Sequence, residues 1–340
     1  MTTRKKKTSV SVIIPAYNAE KTLPSCVDAL LQQTVLPDEI ILVDDGSTDH
    51  TTIIAESYST IILIKQTNQG PAKARNNGAK HAKGDIIFFL DSDCVPEKNF
   101  IHEMLLPFHD EKVVGVQGAY RTRQQSWVAR FDQLDIEYRY THLQRAKKMD
   151  WIGSYAAAYH RKTFIAEKGF DETFPRASGE DAELSYRLSE KGMKLVFSPT
   201  AIVYHTHPAT LLHYLKVKFF RAYWRTRMYV KHPEKSIHDS YTPQELKAGF
   251  FMGAFFLLEI LLLGLFFLLN AYSLKADLFL LGVAILATIA FMYAIFTSFF
   301  SFTFMHHRAL LPAAIFLVFL RSLVFVLGAG IGLIDRRTWE

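Results

Sequence analysis

Two aspartates separated by one residue, Asp91 and Asp93, have the spacing that most suggests chemistry in this 340-residue chain. They follow the mainly apolar run 85–90, which begins after Gly84 and predicts a buried central strand. Two carboxylates at the end of such a strand repel each other unless a cation lies near both. A divalent cation with oxygen ligands, itself carrying a diphosphate, would fit that place. Because aspartates also begin polar turns and cap helices, the pair alone leaves both interpretations open.

Other predicted strands also end in polar residues, which would bring more candidate groups to the same place. Strands and helices alternate along the first part of the chain, with strands predicted over 10–14, 40–43, 61–64 and 85–90 and helices over 18–33, 52–58 and 71–82. This alternation predicts a parallel sheet that binds ligands beyond the carboxyl ends of its strands. Three of those ends carry polar clusters, at residues 15–18, 44–49 and 91–93.

These clusters suit a nucleotide. Tyr17 can stack on a base, and Asp44 can accept hydrogen bonds from a base or a ribose hydroxyl. Lys73 and Arg75 could bind a diphosphate. Side chains two residues apart on a helix diverge by about 200°, so we expect only one of the two to face the site. The sequence has neither GxGxxG nor GxxxxGK[ST], the fingerprints of dinucleotide-binding folds and of P-loop NTPases.

A second group of candidates lies beyond residue 179. A helix predicted over 180–191 places Asp181 on the same face as Leu184 and Leu188, which directs Asp181 inward. An acidic residue in a first helical turn is equally explained by the helix dipole. His205 and His207 follow a predicted strand over 194–204 and point the same way. Either histidine could contact a metal or a diphosphate, although surface histidines after strands are common.

Six motifs together resemble the family 2 glycosyltransferases of the GT-A fold, over about residues 9–205. They are Val12–Asn18, Val43–Asp49, Ala74–Gly78, Asp91–Asp93, Gly169–Glu172 and Gly179–Leu184. The resemblance implies an α/β fold with a Rossmann-like mixed sheet. It also implies a nucleotide-diphosphate sugar as donor, a divalent metal, Mn²⁺ or Mg²⁺, and inversion at the anomeric carbon.

The resemblance further implies roles for individual residues. Asp181 would be the general base that takes the proton of the acceptor hydroxyl, and Glu180 would orient the acceptor or tune its neighbour. The metal ligands would be Asp93, Asp91 and His205. The residues that would bind the nucleotide-sugar are Pro15, Tyr17, Asn18, Asp44, Asp45, Lys73, Arg75 and Asp91. The acceptor would lie near Trp151 and the segment 127–148, which is equally typical of a solvated amphipathic helix.

The last third of the chain is apolar and predicts a membrane region over 248–334. Its only charged residues are Glu259, Lys275, Asp277, Arg308 and Arg321. Three runs, 249–269, 278–302 and 310–334, are long enough to cross a bilayer as helices, although a hydrophobic soluble bundle would share this composition. Glu259 and Arg321 lie near the middle of their runs, so we expect them to pair; each could instead snorkel or line a wet groove. The small residues 328–332 favour close helix contact.

A basic amphipathic segment precedes the membrane region. Lysines and arginines interleave with apolar residues over 211–230, which is typical of a helix at a membrane interface that attracts anionic lipid. The same residues could hold the phosphates of a lipid-linked acceptor, and the adjoining apolar region argues against nucleic acid. The predicted organisation is a basic tail 1–8, a catalytic domain 9–208, an interfacial helix and linker 209–247, the membrane region, and a tail 335–340.

The orientation in the membrane is only partly indicated. The basic residues 306–308, 216–231 and 4–7 favour the cytoplasmic side, whereas Arg336 and Arg337 would lie outside after three spans. The two cysteines predict no disulfide framework and fit a reducing compartment. We therefore expect a multi-pass protein of the plasma (inner) membrane whose catalytic domain is cytoplasmic.

The resulting prediction is a membrane-anchored, metal-dependent, inverting glycosyltransferase. It would act on a lipid-linked or membrane-proximal acceptor in cell-surface polysaccharide or glycolipid synthesis. A processive polysaccharide synthase is one alternative, although the stretch 220–225 lacks the QxxRW motif of such enzymes. A polyprenyl-phosphate sugar synthase is another, and a non-catalytic nucleotide-sugar-binding scaffold subunit of a polysaccharide-export complex is a third.

Overall fold

The computed structural model describes residues 8–174, 176, 179–269 and 274–335. The chain forms two compact units, one containing residues up to Arg123 together with Leu143–His207, the other containing Gln124–His142 together with residues from Pro208 onwards. The catalytic domain expected over 9–208 thus includes a segment, 124–142, that groups with the second unit. Most of the expected terminal tails, including Arg336 and Arg337, lies outside the described residues.

One eight-stranded sheet forms the centre of the first unit. Its strands are β1 (Val10–Ala16), β2 (Glu39–Asp44), β3 (Ile61–Lys65), β4 (Ile86–Leu90), β5 (Cys94–Pro96), β6 (Val113–Arg121), β7 (Ala156–His160) and β8 (Lys194–His205). The strand order is β3-β2-β1-β4-β7-β6-β8-β5. The first four strands in this order are parallel, β7 is antiparallel to both of its neighbours, and β5 is antiparallel to β8. The mixed sheet confirms the predicted fold class.

Helices cover the sheet, and the short connections bring polar groups to its rim. They are α1 (Leu23–Leu31), α2 (Thr51–Glu56), α3 (Pro71–His81), α4 (Phe100–Leu105), α6 (Arg161–Ala166) and α7 (Glu180–Glu190), with a 3₁₀ turn at Leu106–His109. Helix α5 (Trp127–Arg145) belongs mostly to the second unit. Gly78 lets α3 approach β1 closely, because a Cβ there would lie 2.5 Å from Cγ2 of Ile13. Every residue of β4 is buried, as its continuous apolar run predicts.

The helix expected over 18–33 is shorter in the structure and begins only at Leu23. The residues before it are used in a turn: Asn18 has a φ of 51°, a left-handed conformation that asparagine tolerates. The backbone N–H groups of Asn18 and Ala19 donate to Ser47 and Thr51 instead of beginning a helix. The apolar periodicity of α1 was correctly identified, but it does not extend into this turn.

Among the described residues of the second unit, the regular elements are all helices. After α5 come α8 (Leu211–Lys231), α9 (Gln244–Leu269), α10 (Leu274–Ile295), α11 (Thr297–His307) and α12 (Leu311–Ile334), with 3₁₀ turns at Pro233–Ser236 and Arg308–Leu310. Two stretches are long and apolar enough to cross a membrane, Gln244–Phe266 and Thr297–Ile334, and Leu281–Ile295 is a shorter apolar helix. The run expected over 278–302 is therefore divided between α10 and α11.

The prediction that Glu259 pairs with Arg321 is wrong. Arg321 instead binds Asp135 of α5, with 2.6 Å between Nη1 and Oδ1, and both side chains are almost fully buried. Glu259 accepts a hydrogen bond from the hydroxyl of Thr288 at 2.6 Å. The carboxylate partner of Arg321 thus comes from a helix outside the apolar region. Burial disfavours the charged form of Asp135, but Arg139 and Arg321 outweigh it and hold the pKa of that carboxyl well below its usual range.

A second buried ion pair shows that α5 is not a solvated helix. Lys218 of α8 binds Asp132 at 2.6 Å, and neither side chain is more than slightly exposed. Burial lowers the pKa of Lys218 to about 8, against the opposing charge of Asp132. Lys218 is therefore not among the cations that α8 can offer to lipid, whereas Lys216 and Arg221 are exposed.

Glycines let α12 pack directly on the backbone of α8. A Cβ on Gly328 would lie 2.4 Å from the carbonyl oxygen of Phe219, and one on Gly332 would lie 2.6 Å from that of Tyr223. Gly328 and Gly332 are one helical turn apart and so share a face. The contact confirms the close helix packing expected from residues 328–332.

We predict that Gly328→Ala destabilises the second unit by about 1–3 kcal/mol, because the added methyl group overpacks the contact with α8. Gly330→Ala is the matched control, since a Cβ there meets nothing within 4 Å. Thermal unfolding of both detergent-purified variants measures the difference. Equal melting temperatures would contradict the proposed packing role of Gly328.

Candidate active site

The segments that follow the adjacent strands β1 and β2 contact each other and could together bind a nucleoside. Asp44 is buried and accepts hydrogen bonds from the backbone N–H of Ser47, at 2.9 Å, and from the hydroxyl of Thr52. Asn18 accepts one from the N–H of Thr48 at 2.8 Å. Tyr17, by contrast, is 52% exposed, so its ring is available for stacking. The carboxylate of Asp44 is thus held in place beside an accessible aromatic ring.

Two other residues of this rim shape the backbone. Asp45 is buried and accepts hydrogen bonds from the N–H groups of Gln69 and Gly70 at 2.8 and 2.9 Å, which fixes the loop that leads into α3. Pro15 lies half-buried in β1 opposite Val43. Asp45 and Pro15, both predicted to bind the nucleotide-sugar, therefore have clear structural roles.

The structure brings Asp93 and His205 together at the end of β4. Oδ2 of Asp93 lies 3.2 Å from Nε2 of His205, and β5 pairs with β8 so that Cys94 is opposite His205. The imidazole of His205 stacks on Tyr120, with ring centroids 4.5 Å apart. Burial opposes ionisation of Asp93, but the hydrogen bond and charge of His205 prevail and lower the pKa of that carboxyl. Oxygen and imidazole ligands side by side, partly exposed, fit a divalent metal such as Mn²⁺ or Mg²⁺.

His207, the second candidate histidine, is buried and contacts His205. Its Nδ1 is 3.1 Å from Nδ1 of His205, which requires one ring nitrogen to donate and the other to accept. His207 is buried, whereas the side chain of His205 is 16% exposed. The arrangement places His205 beside Asp93 and gives His207 the position of an orienting neighbour.

A buried arginine connects the two halves of the site. Arg75 is 2% exposed; its Nη2 lies 2.6 Å from Oδ1 of Asp91 and its Nη1 lies 2.9 Å from Oε1 of Glu180. The two carboxylates raise the pKa of Arg75 despite its burial. Lys73 is less buried and lies 3.5 Å from Gln69. Of the two cations predicted to bind a diphosphate, Lys73 is the more accessible.

Asp181 and Glu180 differ in exposure although they are adjacent. Glu180 is 1% exposed and binds Arg75, so it points into the protein. Asp181 is half-buried and accepts hydrogen bonds from the N–H groups of Ser154, at 3.2 Å, and Ala182, at 2.8 Å. The carboxylate of Asp181 is therefore oriented by two backbone donors while remaining partly accessible.

Trp151, the predicted acceptor contact, is buried. Its ring makes an edge contact with Tyr186 of α7. The next residue, Ile152, donates its N–H to the hydroxyl of Ser185 at 3.0 Å. The loop before β7 is thus attached to α7, the helix that carries Asp181.

Sequence reasoning did not assign roles to two further residues. Asn76 is buried; it donates to the carbonyl of Phe170 at 2.8 Å and accepts from the N–H of the same residue at 2.9 Å. Asn76 lies within the motif 74–78, so the sequence indicated that this segment belongs to the site. Tyr120 stacks between Tyr155 and His205, and no local pattern in β6 indicates this.

The sequence of this chain is similar to those of known glycosyltransferases. Residues 11–167 match the family described as glycosyl transferase family 2. The pre-mycofactocin glycosyltransferase of Mycobacterium tuberculosis is 30% identical over 67% of this chain, which spans 49% of that protein. The O-antigen chain rhamnosyltransferase RfbN of Salmonella typhimurium is 28% identical over 59% of this chain and 67% of its own length.

One solved structure covers nearly the whole chain. It is the mannosyltransferase PcManGT from Pyrobaculum calidifontis, in complex with GDP-Man and Mn²⁺. The TM-score is 0.57 at 18% identity, with 98% of this chain and 88% of that chain covered. At this identity the likeness establishes the shared fold.

We predict that Arg75→Gln lowers the free energy of unfolding by about 3–5 kcal/mol, because it leaves the buried carboxylate of Glu180 without its cation. Lys80→Gln, on the exposed side of the same helix, is the control and should change it by less than about 0.5 kcal/mol. Urea unfolding of the two variants gives the comparison. An unchanged free energy of unfolding in Arg75→Gln would contradict a stabilising role for the ion pair with Glu180.

Proposed function

The chain belongs to glycosyl transferase family 2 through its residues 11–167, and we propose that it transfers a sugar from a nucleotide-diphosphate donor to an acceptor hydroxyl with inversion. One observation above all supports this: the Arg75 guanidinium ties Asp91, at the donor end of the sheet, to Glu180, beside the half-buried Asp181. A donor site and a base are thereby held in one rigid arrangement. Because both side chains are buried in this bridge, Arg75 and Glu180 would position other residues of the site and would not contact the substrates themselves.

The donor would bind across the carboxyl ends of β1, β2 and β4. Tyr17 would stack on the base, and Asp44 would accept hydrogen bonds from the base or the ribose. Asp93 and His205 would hold a divalent metal, Mn²⁺ or Mg²⁺, with Asp91 close by. When bound, such an ion neutralises the charge that develops on the departing nucleoside diphosphate. Lys73 would assist at the phosphates.

Asp181 would act as the general base. Its carboxylate would take the proton of the acceptor hydroxyl as that oxygen forms a bond to the anomeric carbon and the bond to the diphosphate breaks. The two backbone N–H groups that donate to Asp181 orient its carboxylate for this role. An accessible carboxylate suits a hydroxyl acceptor better than a lipid phosphate, which is already ionised.

We further propose that the enzyme works on a lipid-linked or membrane-proximal acceptor at the cytoplasmic face of the plasma membrane, in cell-envelope glycan synthesis. Two helical stretches long enough to cross a membrane support the anchoring. The exposed cations Lys216 and Arg221 of α8 support contact with anionic headgroups. The basic residues 306–308, at the end of α11 and in the turn that follows it, favour the cytoplasmic side.

We predict that detergent-purified protein with Mn²⁺ releases nucleotide from one member of a panel of nucleotide-sugars when membrane lipid extract supplies the acceptor. Asp181→Asn should lower kcat by at least about 100-fold through loss of the base. Its control is Glu190→Gln, an exposed carboxylate at the other end of the same helix, which should retain activity.

Asp93→Ala separates the metal from the base. We expect it to abolish both turnover and the Mn²⁺ dependence of nucleotide binding, measured by calorimetric titration, whereas Asp181→Asn should keep metal-dependent binding. Binding without turnover in the wild type, with every donor and with lipid extract, would favour the non-catalytic scaffold. No nucleotide binding at all would refute the site.

A further inference from the structure

A cavity of about 610 Å³ lies within the second unit, and its lining includes none of the residues assigned to the transfer reaction. Its walls come from α5, α8, α9, α12 and the segment that joins α8 to α9. The volume is within the range of about 300–1,000 Å³ that is typical of sites for small organic ligands. A cavity of this size is large enough to hold a small organic ligand.

The lining has two chemically distinct parts. Aromatic and aliphatic side chains form the larger part, including Phe250, Phe325 and Leu333. The charged residues among the described lining are all cations: Arg139, Arg225 and Lys247. A ligand that satisfies both parts is amphipathic and carries a negative charge.

The cationic part has a surplus of positive charge. Arg139 and Arg321 share the single carboxylate of Asp135, so this group of three keeps one net positive charge. Lys247 is paired with Asp239 at 2.9 Å. The hydroxyl of Thr242, 6% exposed and part of the lining, has no hydrogen-bond partner among the described residues. A buried hydroxyl without a partner is unfavourable, which points to a polar ligand atom nearby.

The position of the cavity along the helices agrees with this chemistry. Lys247 and Phe250 lie in the first two turns of α9, whereas Ala329 and Leu333 lie in the last two turns of α12. These are the ends of the two stretches able to cross a membrane, and the ends of spanning helices lie at the level of the lipid headgroups. Phe251 and Leu333, 72% and 51% exposed, continue the apolar wall onto the surface.

We propose that this cavity binds one anionic phospholipid of the surrounding bilayer. Its phosphate would lie among Arg139, Arg225 and Lys247, with the Thr242 hydroxyl as a further donor, and one acyl chain would lie along Phe250, Phe325 and Leu333. The lipid would fix the segment between α8 and α9 and so couple the second unit to membrane composition. This binding goes beyond the transfer reaction, and it does not require the chain to be active.

Native mass spectrometry of the full chain tests the proposal. Protein in detergent is mixed with equal amounts of phosphatidylglycerol, phosphatidylcholine and a polyprenyl phosphate. We expect one phosphatidylglycerol adduct to dominate. The double variant Arg225→Gln with Lys247→Gln should reduce it about tenfold, since each headgroup contact with a lysine or arginine contributes substantially. Lys80→Gln with Lys112→Gln is the control, because it removes the same charge from exposed positions of the first unit and should leave the adduct unchanged.

A second variant guards against loss of the fold. Ala329→Phe fills the cavity without changing charge and should also remove the adduct, while thermal unfolding reports whether the unit remains intact. Equal adducts for phosphatidylcholine, or equal loss in the control pair, would overturn the proposal. A dominant polyprenyl phosphate adduct would also overturn it and would identify the cavity as an acceptor site. Since the readout is lipid mass, failure of the transferase assay would not affect this result.

Discussion

The buried Arg75 guanidinium is the interaction on which the arrangement of the site depends. A cation at 2% exposure is stable only with partners, and it has two, Asp91 at 2.6 Å and Glu180 at 2.9 Å. The two partners are far apart in the sequence: Asp91 follows β4, whereas Glu180 begins α7. Neither carboxylate can move far without leaving a buried charge uncompensated. The bridge therefore also restricts the position of Asp181, the residue after Glu180, relative to Asp91.

Other contacts reinforce this bridge from both sides. Asn76, next to Arg75 on α3, binds the backbone at Phe170, and Arg187 of α7 donates to the carbonyl of Gly169 at 2.7 Å. The segment that leads to α7 is therefore attached to the same helix that carries the arginine. Arg75, Asn76 and Arg187 thus hold these elements together through contacts within the protein.

The local parts of this design could be predicted from the sequence. The continuous apolar run of β4 predicted the strand, and the end of that run predicted that Asp91 and Asp93 lie at the rim of the sheet. Long-range pairing could not be predicted, because no periodicity records that Arg75 meets a carboxylate 105 residues away. The same limit explains the error at Arg321. Two charges in apolar runs suggested a pair, but the carboxylate of Asp135 comes from a helix that precedes the apolar region.

The pairing of Arg321 with Asp135 has a consequence for biogenesis. The two residues are 186 positions apart, so the carboxylate is synthesised long before the arginine. An arginine at the centre of a spanning helix costs about 2.5–3.5 kcal/mol on insertion scales. If α12 crosses the bilayer as proposed, its entry is assisted only when α5 has already folded against α8. Stable insertion of α12 would then depend on the earlier part of the chain placing Asp135 where Arg321 can bind it.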